Sequence, residues 1–87
     1  MDRTTSISFK KKLDVTDLAG EKVMIDFSSG KYFMIKGVGN DIWDLISDGI
    51  TVGEIIDKLL QEYDVTEDVC EKEVISFLNK MEEYEFI

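Results

Sequence analysis

The chain has no histidine, no proline and a single cysteine among its 87 residues. Each absence excludes a class of chemistry. Without histidine, the commonest general base and metal ligand is missing. One cysteine cannot build a cysteine-rich zinc site. Nor can Cys70 form an internal disulfide, which fits a reducing cytosol. No stretch approaches the roughly 18 apolar residues of a membrane helix. The opening MDRTTSISFKKK lacks the apolar segment of a signal peptide. The glycines of GVGN at 37–40 have neither the P-loop nor the dinucleotide-fingerprint spacing. Asp and Glu are plentiful but scattered, with no pairing that suggests acid–base work. The composition therefore predicts a non-enzyme with no cofactor and no metal.

What is present is one small domain with 44% apolar residues and a net charge of −9. The charge is uneven. Residues 1–36 carry seven Lys or Arg against five acids, and residues 37–87 carry three Lys against fourteen acids. Such a surface repels nucleic-acid phosphate.

The first half reads as β. A short strand is expected over about 5–10, followed by the lysine run Lys10–Lys12. KVMIDF at 22–27 places Val23, Ile25 and Phe27 on one face, and KYFMIK at 31–36 forms the return strand. Ser28-Ser29-Gly30 supplies the turn, with Gly30 able to take positive φ. LDVTDLAG at 13–20 reads either as an extended link or as another short strand.

The second half reads as three helices, over about 38–47, 52–62 and 67–83. Val38, Ile42, Leu45 and Ile46 have helical spacing in the first, with Gly49 as its C′ residue. Thr51-Val-Gly-Glu54 is a capping box ahead of the continuous apolar face Val52, Ile55, Ile56, Leu59, Leu60 and Tyr63. Thr66 caps the third, with Glu67 and Asp68 favourable in its first turn. The fold class is α+β and winged helix-turn-helix-like, a three-stranded antiparallel sheet followed by three helices. The core is expected on Val23, Ile25, Phe27, Phe33 and Ile35 of the hairpin. From the helices it takes Ile42, Leu45, Ile46, Ile55, Ile56, Leu59, Leu60, Val74, Phe77, Leu78 and Met81.

The strand at 31–36 stands out. Between Lys31 and Lys36 it is wholly apolar, with neither proline nor inward charge to blunt its edge. Tyr32 and Met34 either pack on the N-terminal segment or meet a partner added to that edge. Cys70 reads as a small buried hydrophobe rather than a reactive thiol. Trp43 reads as a core-edge aromatic or a contact for an enzyme. A DNA-binding reading fails on helix 52–63, where Glu54, Asp57 and Glu62 face a single Lys58. A structural subunit whose apolar edge is permanently covered is a further alternative.

GEKVMIDFSSGKYFMIKGVGNDIWDLI, ITVGEIIDKLLQEYDV and EKEVISFLNKMEEYEFI together resemble the PqqD-like family of precursor-recognition domains for ribosomally made peptides. Among these, the sequence is most similar to the standalone B1 proteins of lasso-peptide biosynthesis. The resemblance covers residues 20–87 and departs from the usual pattern at Met34-Ile35-Lys36-Gly37. It implies a cytoplasmic, non-catalytic domain that binds the leader of a precursor peptide. The leader would add antiparallel to strand 31–36 in a cleft against the third helix and be passed to a leader peptidase and cyclase. A radical SAM enzyme is the alternative recipient. The peptide-binding residues implied are Tyr32, Phe33, Met34, Ile35, Val69, Cys70, Glu73, Val74 and Phe77. Neither nucleic acid nor membrane is an expected partner.

Overall fold

The structure is a computed structural model that describes residues 1–10, 13–27 and 29–87. Lys11 and Lys12 of the lysine run and Ser28 of the expected turn lie outside the described residues. The elements are β1 (Ser6–Ile7), β2 (Asp14–Leu18), β3 (Glu21–Asp26), β4 (Lys31–Ile35), α1 (Val38–Leu45), β5 (Ile50–Thr51), α2 (Val52–Glu62) and α3 (Glu67–Glu83). The architecture is α+β, an antiparallel sheet in the order β2-β3-β4 followed by three helices.

The sheet's first strand differs from the expected one. The segment 5–10 contributes only Ser6–Ile7, and these pair with Ile50 and Thr51 rather than with the hairpin. LDVTDLAG supplies the third strand of the sheet instead. The N-terminal segment has a different task. Its carbonyls at Arg3 and Thr5 accept from Gly53 N–H (2.9 Å) and Val52 N–H (3.0 Å), two of the free donors at the start of α2. Arg3 then pairs with Asp57 at 2.8 Å and Glu67 at 3.1 Å, tying α2 to the start of α3.

The face of β3 is also reversed. Met24 is fully buried, whereas Ile25 and Phe27 are exposed and Val23 is only half-buried. The register pairs Met24 with Phe33 and Asp26 with Lys31, so the helix-facing set is Lys22, Met24, Asp26, Phe33 and Ile35. Reading charges as outward-facing misplaces this strand, because Lys22 enters the inner face with partners. Its ammonium lies 3.0 Å from both Asp17 of β2 and Asp44 of α1. The hydrogen bond that Lys22 donates to Asp17, then that to Asp44, raises the Lys22 pKa above its ordinary 10.5. The pair of carboxylates thereby pins α1 to the sheet.

The turn closes as expected, with Gly30 at φ 71° donating to the Asp26 carbonyl at 2.9 Å. Helix α1 is shorter than its apolar spacing suggested. Ile46 leaves the helix with extended backbone, and Gly49 sits in the turn before β5 rather than at C′. Both threonine caps are made: Glu54 N–H reaches the Thr51 hydroxyl at 3.2 Å and Val69 N–H the Thr66 hydroxyl at 3.3 Å. The core gathers Ile42, Ile46, Ile55, Ile56, Leu59, Val74, Leu78 and Met81 as the helical periodicity requires. It also takes Met24, Ile7, Ile50, Phe86 and Ile87. Leu45, Leu60, Phe33 and Phe77 are only partly buried against it. Trp43 is a core-edge residue, 9% exposed and packed on Phe9 at 5.1 Å between ring centroids.

Candidate peptide-binding cleft

Strand β4 is an edge of the three-stranded sheet, with β3 on one side and no strand among the described residues on the other. Its apolar residues 32–35 lie between Lys31 and Lys36, and the chain enters α1 directly after Gly37. The sheet's opposite edge is different. β2 is exposed along its whole length and carries Asp14 and Asp17, charges that discourage strand pairing.

Between β4 and α3 lies an open cleft of about 390 Å³. Phe33, Met34, Ile35 and Lys36 line one side, Glu73, Ser76, Phe77, Lys80, Met81 and Tyr84 the other, and Val38 and Gly39 the floor. Helical spacing from 73 to 84 puts the α3 residues on one stripe. The floor is thin because residue 39 is glycine. A Cβ there would stand 2.9 Å from Ile35 Cγ2 and 3.1 Å from Phe77 Cε2. At the Phe33 end the wall is aromatic, with the ring centroid of Phe33 4.8 Å from Tyr84 and 4.9 Å from Phe86. Going from Phe33 to Val38, the chain thus passes Tyr84, then Phe77, then Glu73. β4 and α3 run in opposite directions.

The cleft opens at the Glu73 end into a second, smaller hollow of about 240 Å³. Leu59, Tyr63, Val65, Val69 and Cys70 line it, and it shares Val38 and Glu73 with the first. The loop between α2 and α3 forms its rim. Tyr63 donates to the Asp41 carboxylate, a bond that fastens the end of α2 to the first turn of α1. That same bond, followed by desolvation, raises the Tyr63 pKa above its ordinary 10.0. Burial likewise pushes the Cys70 thiol above 9.0, and its sulfur lies 3.9 Å from the Ile56 carbonyl. It is a wall atom rather than a nucleophile.

The residues implied by the sequence resemblance therefore divide. Phe33, Met34, Ile35, Glu73 and Phe77 line the cleft, and Val69 and Cys70 line the adjoining hollow. Val74 is fully buried and touches neither space, because its place on the helix faces the core. Tyr32 projects from the outer face of the sheet, 72% exposed, and Met34 is 53% exposed. Neither packs away under the N-terminal segment. Sequence reading missed Ser76, Lys80 and Tyr84. Once Glu73 and Phe77 are placed, the i+3, i+7 and i+11 repeat from 73 finds them. It also missed Gly39, whose importance depends on an approach between elements far apart in sequence. Among the described residues no group of acidic or cysteine side chains could hold a metal ion, and no helix is long and apolar enough to cross a membrane.

The comparisons agree with this geometry. No curated protein sequence matches the chain. A solved structure described as "TbiB1 in Complex with the TbiA(beta) Leader Peptide" matches with a TM-score of 0.81 at 26% identity, over 92% of this chain and 93% of that one. The profile of the family described as coenzyme PQQ synthesis protein D matches residues 21–87, which hold the hairpin, all three helices and every residue of the cleft. The chain belongs to the PqqD family.

Proposed function

We propose that this protein is a non-catalytic recognition domain for the leader of a ribosomally made precursor peptide. The leader adds antiparallel to β4 as a fourth strand. Backbone pairing supplies sequence-tolerant affinity, and alternate side chains enter the cleft against α3 and the hollow beyond it. The observation that carries this reading is the unpaired apolar edge of β4 directly beside a cleft of side-chain width. The likeness to TbiB1, described as a leader-peptide complex, supports it. The bound precursor is then presented to the leader peptidase and cyclase of a lasso-peptide system, the recipients implied by the sequence resemblance. The domain itself contributes no reacting group.

Amide exchange tests the proposal. In an antiparallel ladder, every second N–H of an edge strand points away from its neighbour. Adding a synthetic leader peptide of the lasso-precursor class, chosen as one this protein binds in titration, should slow exchange at alternate amides across residues 31–36. No slowing there, or slowing along β2 instead, would overturn strand addition at β4.

A further inference from the structure

The α3 wall of the cleft is electrically polarised. Glu73 stands at the end that opens into the second hollow, and Lys80 stands two turns later beside Tyr84. Both are exposed, and neither forms an ion pair among the described residues. Ser76, between them, is polar and uncharged. Of the exposed charged residues of α3 that do not line the cleft, Glu67, Asp68, Glu82 and Glu83 are acidic and Lys72 is basic. Among the α3 residues that line the cleft, Lys80 is the basic one, and Lys72 lies on another face of the helix.

We propose that Glu73 and Lys80 set the direction and register of the bound strand by selecting its charge order. This inference rests on the strand addition proposed above. An antiparallel partner of β4 runs parallel to α3, so its N-terminal part passes Glu73 first and its C-terminal part reaches Lys80. Seven helical residues separate the two charges by about 10 Å along the axis. A strand covers that distance in about three residues. Side chains facing α3 recur every second residue, so the matching pair is two or four residues apart. The occupant is a peptide with Lys or Arg first and Asp or Glu two or four residues later, both on the helix-facing side. A peptide entering in the reverse direction brings like charges together, which disfavours it. Lys36 lines the cleft from the sheet side toward the Glu73 end, where its charge acts against that of Glu73, so the basic preference at that end is the weaker of the two. Lys80 also complements the C-terminal end of the α3 dipole. That role alone would not change which peptide is chosen.

Selection from random twelve-residue peptides displayed on phage reads the charge order directly. The wild type is compared with the double variant Glu73→Lys/Lys80→Glu, which has the same net charge. Peptides are retained when they shift the amide resonances of residues 31–36. The wild type should enrich a basic residue ahead of an acidic one, and the double variant the reverse order. The same order in both pools, or no order in either, overturns the inference and leaves strand addition standing. Failure of the wild type to select any peptide that shifts those amides would count against strand addition itself. Should the double variant lose its fold, Glu73→Gln and Lys80→Gln read the same property. Each should erase the preference at its own end only, and retention of both preferences refutes the inference.

Discussion

Replacing Gly39 by alanine sets two effects of known size against each other. Gly39 is buried at the second position of α1, and the added methyl would stand 2.9 Å from Ile35 Cγ2 and 3.1 Å from Phe77 Cε2. Alanine is favoured over glycine in a helix by up to about 1 kcal/mol. Forcing a methyl into a filled site costs about 1–3 kcal/mol. Ile35 is β-branched and buried at 5% exposure, so it yields little. Phe77 borders open cleft and swings outward instead. The net expectation is a loss of up to about 2 kcal/mol, or roughly 10 °C in Tm for a domain of this size. A second effect follows from the same movement. Phe77 displaced into the cleft reduces the space for leader side chains, so leader affinity should fall even at temperatures where the variant is fully folded. Urea unfolding followed by Trp43 fluorescence gives the first quantity, and titration of a labelled leader gives the second. A variant more stable by about 1 kcal/mol with unchanged leader affinity would show that Gly39 does not hold Ile35 and Phe77 in contact.

Val69→Glu should weaken leader binding without altering the circular dichroism spectrum, because Val69 is 49% exposed on the hollow. Val74→Glu should instead lose more than about 3 kcal/mol of stability in denaturant titration, since it puts a carboxyl in a fully buried site. Lys22→Met should be less stable than the wild type at neutral pH. The folded-state pKa of Lys22 is raised, so its contribution is present below 10.5 and is lost as pH climbs through the higher folded value. The stability gap measured by denaturant titration should therefore hold from neutral pH up to 10.5 and narrow above it. A gap that closes between neutral pH and 10.5 would assign it to another group.

The helical half was legible because its signals are local. The capping threonines, the apolar stripes and the acidic first turn of α3 lie within a few residues of what they control, and periodicity alone separates Leu78 from Asn79. The hairpin was legible as a hairpin but not in its orientation. β3 has apolar residues on both faces, and the deciding fact is that Lys22 finds carboxylates from two other elements. Nothing near Lys22 in sequence announces Asp44. Likewise, ISF at 7–9 and DVTDL at 14–18 have similar claims to be strands. The choice between them is made by Val52 and Gly53, whose free N–H groups draw the first segment away to α2. Phe86 and Ile87 entered the core by a reversal after α3, where Glu85 takes φ 64°, a conformation no composition rule assigns to glutamate.

The reversed face of β3 also explains how β4 can keep an apolar edge without sacrificing the core. Inward burial is shared between Met24, fully buried at the centre, and Ile35 beneath α1. Phe33 is thereby left only partly covered, resting on Phe86 from the core side and on Tyr84 from the cleft side. One ring thus belongs to both the interior and the cleft. A strand added to β4 would extend an existing hydrophobic layer rather than nucleate a new one, and much of its apolar contact surface is already ordered before it arrives. Had Val23, Ile25 and Phe27 faced the helices, Met24 would have stood outside, and Phe33 would either have turned outward with it or paired with a different residue. The side-chain positions that build the cleft therefore depend on the same register that buries Lys22 beside Asp17 and Asp44. On this account, disturbing that distant ion cluster should loosen β4 against α3 and weaken leader binding, although none of its three charges lines the cleft.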